Sequence, residues 1–267
     1  MPNAKTAARS TRNSTPLRAV ARTGYAMNGV VNAFIGFIAI GIAVSGGGSA
    51  DQSGAFAAIG SNPIGAIALW FIAIALAALG IWYLIGAFLN RDEDKKKRAA
   101  NMAIEVGKGI AYLAFAATAF GFAVGTGSDS SQQSSSLTAD LLATPGGVFL
   151  VVVIGLVICG VGAYMVRKGL TRKFEEDITM PTGTAAKGVR ALGIFGYVAR
   201  GVALFIVGVL FVVAAFTADS SKATGLDGAL KALASLPFGQ VLLVLVGLGF
   251  IAYGAYSVAR AKLARLN

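Results

Sequence analysis

The sequence contains six stretches of mainly apolar residues, and each is long enough to cross a lipid bilayer as one helix. About 20 residues span the hydrocarbon layer in helical form. A spanning segment is helical because a strand or loop standing alone would leave its backbone N–H and C=O groups without partners in lipid. Hydrophobic residues make up 56% of the chain and charged residues only 13%, whereas soluble domains have about 25% charged residues. The predicted spans are residues 24–44, 64–89, 102–124, 146–166, 191–216 and 238–259.

The Lys and Arg residues lie almost entirely in alternate connections. Of the 23, 19 lie in the N-terminal tail, in the second and fourth connections and after the last span. The first, third and fifth connections hold only Lys222 and Lys231, and Lys108 and Arg200 lie inside spans. We call these two sets of connections the basic side and the acidic side. The positive-inside rule predicts that the basic side, with both termini, is cytoplasmic.

Three copies of a helix-pair unit become visible when Pro63, Pro145 and Pro237 are aligned. Small residues then coincide at steps of seven or eight, which places them on one helix face and lets backbones approach closely in lipid. A short apolar pattern before each proline, clearest in the third copy, predicts a brief amphipathic helix on the membrane surface. The predicted helix-packing residues are Gly29, Gly36, Gly65, Gly80, Gly109, Gly147, Gly155, Gly162, Gly201, Gly208, Gly239, Gly247 and Gly254.

These observations predict an all-α membrane protein of six transmembrane helices. All three pairs start from the same side, so the repeats are parallel and are predicted to surround a pseudo-threefold axis along the membrane normal. The predicted organisation is a basic tail over 1–23, helix pairs over 24–90, 102–168 and 190–260, and a second tail over 261–267.

The third copy carries the most distinctive pattern: Gly-Tyr-x-x-Arg-Gly at 196–201, Leu-Pro-Phe-Gly at 236–239 and Tyr-Gly-Ala-Tyr at 253–256. It resembles an uncharacterised, largely actinobacterial family of bacterial membrane proteins, a domain-of-unknown-function family built from three such helix pairs. The middle copy departs most from the pattern, with Lys108 in place of arginine and Glu105 in place of tyrosine. The resemblance implies a membrane location and this architecture, and it supplies no activity and no catalytic residues.

Ionisable and polar side chains inside the spans are the candidate ligand-binding residues, because such groups are costly in lipid. They are Asn28, Glu105, Lys108 and Arg200. Three interpretations are open. The cations could be anchors whose charged ends reach the headgroups. Asn28, Lys108 and Arg200 could form a ring for a lipid phosphate or a small anion. Glu105 could form an ion pair with Arg200 or Lys108.

Several functional classes receive no support from the sequence. The chain has no histidine and one cysteine, Cys159, so a Ser-His-Asp triad, bis-His haem and an intramolecular disulfide are excluded, and neither a metal nor a cofactor is expected. Every loop is shorter than about 25 residues, which is too short to fold a catalytic domain. The chain is therefore predicted not to be an enzyme. The net charge of +11 is not arranged as a nucleic-acid-binding stripe. Aspartates of the acidic side, such as Asp51, are expected to be solvated, and Asp227 is a candidate helix cap.

The predicted function is therefore that of a structural, accessory or regulatory subunit of a membrane complex. Its expected partners are the lipid bilayer and other membrane-protein subunits or anionic lipid. The alternative is a small transporter or channel, or a lipid-binding protein, for an anionic solute or lipid.

Overall fold

The computed structural model describes residues 15–45, 48–89 and 95–264. Residues 46–47 and 90–94 lie outside the described residues, as do residues 1–14 of the predicted basic tail and residues 265–267 of the predicted second tail. The helices are α1 Thr15–Ser45, α2 Gln52–Gly60, α3 Pro63–Leu89, α4 Lys95–Ala123, α5 Ser130–Leu142, α6 Gly147–Leu170, α7 Thr184–Thr217, α8 Gly225–Ala234 and α9 Gly239–Leu263.

Six of these helices are long and apolar enough to cross a membrane, and they are α1, α3, α4, α6, α7 and α9. The predicted all-α, multi-pass architecture is confirmed. Several helices extend beyond the predicted spans on the basic side, where α7 starts at Thr184 and α6 continues to Leu170. Helix formation does not stop where the apolar pattern stops, since Lys, Arg and Ala favour helices as well.

Each connection on the acidic side contains a short α-helix, and these are α2, α5 and α8. The spanning helix that follows starts directly against the end of this short helix. A Cβ atom on Gly65 would overlap the carbonyl oxygen of Ile59, and one on Gly147 would overlap that of Leu141. A Cβ atom on Gly239 would likewise overlap the carbonyl oxygens of Leu233 and Ala234. Glycine recurs in this column because the chain reverses with two backbones in contact.

The described chain divides into two compact units. Of the described residues, unit 1 contains those within 1–28, 59–127 and 257–267, and unit 2 contains those within 29–58 and 128–256. In unit 1, α3 packs against α4. In unit 2, α6 packs against α7, and α9 packs against the part of α1 that follows residue 28.

These close helix contacts join different copies of the repeat. In unit 2, a Cβ on Gly162 of α6 would lie 2.7 Å from the carbonyl oxygen of Gly201 on α7. A Cβ on Gly254 of α9 would lie 2.6 Å from that of Gly29 on α1. In unit 1, a Cβ on Gly80 would lie 3.0 Å from the carbonyl oxygen of Gly109, between α3 and α4. The second helix of one copy thus packs on the first helix of another, a choice of partner that the repeat pattern alone did not specify.

Candidate functional site

Unit 2 contains a group of four aromatic rings on the basic side, which we call the aromatic cluster: Phe174, Tyr197, Tyr253 and Tyr256. Tyr197 on α7 is 4% exposed and lies at its centre. Phe174 stacks on it with 5.5 Å between ring centroids, and Tyr253 and Tyr256 approach it at 5.2 and 5.6 Å with steeply inclined planes. Stacked and edge-to-face pairs at these distances are favourable beyond the burial of area.

Phe174 comes from the fourth connection, which folds back onto the helices. A 3₁₀ turn over Lys173–Asp177 follows Arg172, whose backbone is left-handed at φ 57°. The turn inserts Phe174 completely, at 0% exposure, against α7 at Gly193, where a Cβ would overlap the ring. The hydroxyl group of Tyr256 donates a hydrogen bond to the carbonyl oxygen of Phe174, with 3.3 Å between the oxygens. The fourth connection is therefore a packed element.

Cations surround the aromatic cluster. The Nζ atom of Lys168 lies 2.5 Å from Asp177 and 5.5 Å from the centroid of the Tyr197 ring. The guanidinium group of Arg200 lies 4.7 Å from the centroid of Tyr253. Cations over a tyrosine face are attracted by the ring quadrupole, the more strongly the less water surrounds them. Lys168, counted in the sequence as a connection charge, is 9% exposed and is part of this site.

Unit 1 contains two similar contacts. The guanidinium group of Arg260 lies 4.6 Å from the centroid of Tyr25. The Nζ atom of Lys108 lies 5.3 Å from the centroid of Tyr83, which stacks on Tyr112 at 5.6 Å. The hydroxyl oxygens of Tyr25 and Tyr83 are 2.9 Å apart, so the two rings share one hydrogen bond.

The three copies use one repeat position differently. The proline alignment places Gly86, Lys168 and Arg260 in one column, although the column was not used in predicting the site. In two copies a cation at this position lies over a tyrosine, Tyr197 or Tyr25. In the remaining copy the cation is replaced by Gly86 and the tyrosine by Glu105, and a Cβ on Gly86 would lie 3.0 Å from a carboxylate oxygen of Glu105. This pair of positions therefore lacks both the cation and the tyrosine of the contact.

The four candidate residues predicted from the sequence are distributed over both units. Asn28, Glu105 and Lys108 belong to unit 1, and Arg200 belongs to unit 2. Asn28 is buried, Glu105 and Arg200 are half-buried, and Lys108 is exposed. Each of the two cations lies over a ring of its own unit. The ring of Asn28, Lys108 and Arg200 and the ion pair of Glu105 stay predictions.

A second polar region of unit 2, which we call the carboxylate cluster, lies on the acidic side and contains Asp51 and Asp227. These residues are 2% and 4% exposed, so the expectation that they are solvated is wrong. Asp227 does not cap a helix either. It lies inside α8 and accepts a hydrogen bond from the backbone N–H of Ala50 at 2.9 Å, while Lys231 donates to its other oxygen at 2.7 Å.

Asp51 precedes α2 and acts as its cap. It accepts hydrogen bonds from the hydroxyl group of Ser53 at 2.6 Å and from the N–H of Gly54 at 2.8 Å. Ser53 in turn accepts a hydrogen bond from the N–H of Ser130 at 3.1 Å, which links two acidic-side connections. Burial raises the pKa of the Asp51 carboxyl, with smaller contributions from the charges of Asp227 and Asp129, and the two hydrogen bonds oppose this increase. Within the described ranges, no three His, Cys, Asp or Glu side chains are placed to hold a metal ion.

Comparison with known proteins agrees with the threefold repetition. Residues 23–90, 106–172 and 195–264 each match the family described as Domain of Unknown Function (DUF1206). The chain belongs to this family, which confirms the resemblance and the three copies. Uncharacterized protein YxxB of Bacillus subtilis (strain 168) is 29% identical over 254 residues, covering 90% of this chain and 88% of that protein. No solved structure matches the chain.

Proposed function

We propose that this member of a family without a described function is a non-enzymatic accessory subunit of a membrane-protein complex. In this proposal it resides in the bacterial plasma membrane with both termini in the cytoplasm. The orientation is supported by the distribution of Lys and Arg, 19 on the basic side against 2 on the acidic side. The subunit role is supported by one face of α4.

Helix α4 exposes a stripe of small residues along the membrane span. Its members are Ala100, Ala103, Gly107, Ala111 and Ala114, all exposed. Their steps of three and four residues keep them on one face. The opposite face carries Gly109, which is buried and touches the backbone of α3 at Gly80. Both faces of α4 thus carry small residues, but within unit 1 only the face with Gly109 packs against α3.

The difference between the exposed surfaces of α4 and α6 supports a role for this stripe in contact with a partner. Both α4 and α6 bury only 17% of their most apolar windows, against 39–56% for the other four spans. The exposed surface of α6 consists mainly of large apolar side chains such as Phe149, Leu156 and Val157, whereas on α4 the exposed side chains of Ile104 and Ile110 flank the small-residue stripe. Helix α4, by contrast, is the least apolar of the six spans. Small residues gain little from contact with lipid chains, but they allow another helix to approach closely, which favours a partner helix from another subunit.

The test is to block the stripe without disturbing the fold. Nothing lies within 4 Å of a Cβ placed on Gly107, and the same is true of Gly160 on α6. Native mass spectrometry of the tagged chain, extracted mildly from its own membrane, should show a stoichiometric membrane-protein partner. Gly107→Leu should release this partner, because the leucine side chain holds the helices apart, whereas Gly160→Leu should retain it. A chain that is extracted alone, or a partner that both variants retain, would contradict the proposal.

The alternative function, transport or binding of an anionic solute or lipid through Asn28, Glu105, Lys108 and Arg200, has its own test. Arg200 is a half-buried cation within a span, a type of residue that often marks a pathway. Arg200→Leu should leave an accessory subunit in its complex but abolish anion uptake by liposomes that contain the purified chain. The alternative is ruled out if the Arg200→Leu variant still takes up the anion. It is also ruled out if the unmodified chain takes up none.

A further inference from the structure

A groove runs along the membrane-facing surface of the α6–α7 pair in unit 2, at its basic end. Its volume is about 460 Å³, within the range of ~300–1,000 Å³ typical of small-molecule sites. The apolar walls are formed by Ala163, Val166, Leu170, Val202 and Phe205. Ala163 contributes only a methyl group, while Phe205 and Leu170 stand exposed around it at 46% and 63%, so the small residue forms the depression.

The polar residues of this groove are Arg167 and Thr171, on the same face of α6 as Ala163. The hydroxyl group of Thr171 donates to the carbonyl oxygen of Arg167 at 2.7 Å, so it is engaged within the helix. Arg167 is exposed and lies three residues before the end of α6. Its guanidinium group is therefore at the headgroup level, while the apolar walls lie deeper in the membrane.

The charge of Arg167 is uncompensated by the acids around it. Of the three acidic residues of the fourth connection, Asp177 is paired with Lys168 and Glu175 with Arg190, while the exposed Glu176 forms no ion pair with Arg167. Among the described residues, Arg167 is in no ion pair. Arg172, which follows the helix, is a further exposed cation. The groove thus combines an apolar channel in the hydrocarbon region with a positive mouth at the interface.

We propose that this groove binds an anionic phospholipid from the leaflet on the basic side, with one acyl chain against the apolar walls and the headgroup phosphate at Arg167. An arginine fork matches phosphate oxygens in a bidentate manner. Basic pockets between transmembrane helices are suited to anionic headgroups. The site is separate from Arg200 and Lys108, and its occupation does not depend on the proposed partner of α4.

The experiment uses the purified, delipidated full chain in detergent. Native mass spectrometry measures binding of phosphatidylglycerol and of phosphatidylcholine with identical acyl chains. Wild type should prefer phosphatidylglycerol. Arg167→Gln should weaken phosphatidylglycerol binding roughly fivefold. It should weaken phosphatidylcholine binding less, because the choline cation of that lipid already offsets its phosphate charge, and Arg167→Lys should keep part of the preference. Arg98→Gln, which changes an exposed arginine at the basic end of α4, is the matched control and should bind like wild type.

The apolar part of the groove is tested by filling it. Ala163→Trp should weaken binding of both lipids, whereas Val157→Trp, at an exposed position of α6 outside the groove, should not. Circular dichroism establishes that each variant is helical before binding is measured. An Arg167→Gln variant that keeps the headgroup preference as fully as Arg98→Gln overturns the proposal. So does an Ala163→Trp variant that binds both lipids like wild type.

Discussion

The aromatic cluster and the carboxylate cluster of unit 2 both bury charge, but they compensate it differently. On the basic side, Lys168 meets the opposite charge of Asp177 and the face of Tyr197. On the acidic side, Asp51 accepts hydrogen bonds from the hydroxyl groups of Ser53 and Ser131 and from the N–H of Gly54, without an ion pair among the described residues. The aromatic cluster depends on packed rings around a charge pair. The carboxylate cluster depends on neutral donors around the desolvated carboxylate of Asp51, beside the ion pair of Asp227 with Lys231.

This difference has consequences for stability. An aromatic cluster loses van der Waals contacts when one ring is removed, and the loss grows with the cavity that remains. A buried carboxylate that accepts hydrogen bonds leaves its donors without partners when it is removed. The charge itself also lowers the stability of the folded state if burial is only partly compensated. Four substitutions or conditions test these distinctions, and their expected effects decrease from the removal of a ring to a change of pH.

Removing the ring of Phe174, which the fourth connection contributes to the aromatic cluster, should have the largest effect on stability. Phe174→Ala should lower the free energy of unfolding by about 3–5 kcal/mol, because a fully buried aromatic side chain leaves a cavity among three tyrosines. Unfolding in mixed micelles of mild detergent and dodecyl sulfate, followed by circular dichroism, measures the change. Phe216→Ala removes a ring that is 77% exposed and should have almost no effect. Equal effects of the two substitutions would show that the fourth connection is not a packed element.

Removing the acceptor from the carboxylate cluster should have the next largest effect. Asp51→Ala leaves the hydroxyl group of Ser53 and the N–H of Gly54 without their acceptor and should cost about 1–3 kcal/mol. Asp51→Asn keeps an oxygen at the same place and removes the buried charge, so it should cost much less. The same unfolding assay compares them. If both variants lose the same stability, the negative charge is essential and the description of the cluster as donors around a carboxylate is wrong.

A feature of these regions could be predicted from the sequence when it depends on residues that are close together along the chain. Spans and repeats depend on local composition and on spacing along one helix, so their number and order could be predicted. Arg200 and Lys108 were recognised because a charge inside an apolar run is visible locally. The signal for Lys168 was present as well, in the column it shares with Gly86 and Arg260, but its burial depends on a helix that continues to Leu170.

Phe174 and Asp51 could not be predicted in the same way. Each lies in a short polar connection, where composition favours solvent exposure. Their burial arises when a connection meets residues distant in the sequence: Phe174 meets Tyr256, and Asp51 lies near Asp227. A sequence pattern read along one connection contains no information about which other connection it touches. For the same reason, the sequence could not predict which helix of another copy each helix packs against.

Removing the charge pair of the aromatic cluster should have a smaller effect than removing a ring. Lys168→Met keeps most of the apolar stem and removes the contacts with Asp177 and Tyr197, at a cost of about 1 kcal/mol. The cost is limited because the side chain of Asp177 is 30% exposed and regains water. Lys173→Met, at an exposed neighbouring position, is the matched control in the unfolding assay. A Lys168→Met variant as stable as this control would show that the ion pair contributes nothing measurable.

The smallest expected effect is the pH dependence of the carboxylate cluster, since hydrogen bonds partly offset the burial of Asp51. Burial raises the pKa of Asp51 above its ordinary value of 3.8, so the folded chain binds this proton more tightly than the unfolded chain does. The ionised carboxylate therefore lowers stability at neutral pH. This loss is relieved as pH falls through the folded pKa, completely so below the unfolded value. Asp219 acts in the opposite sense, because the hydroxyl group of Ser221 lowers its pKa.

The contribution of Asp51 is isolated by subtracting the unfolding free energy of wild type from that of Asp51→Asn at each pH. Both chains contain Asp219, Asp227 with Lys231, and Asp129, so the effects of these groups largely cancel. The stability of Asp51→Asn relative to wild type should be highest at neutral pH. It should decline as pH falls through the folded pKa of Asp51 towards 3.8, and it should be constant below that value. Asp140→Asn, which removes an exposed carboxylate of α5, controls for the loss of one surface charge. A difference that stays constant, or that shifts the other way, would mean that the donors around Asp51 outweigh its burial and that the acidic side favours the charged form.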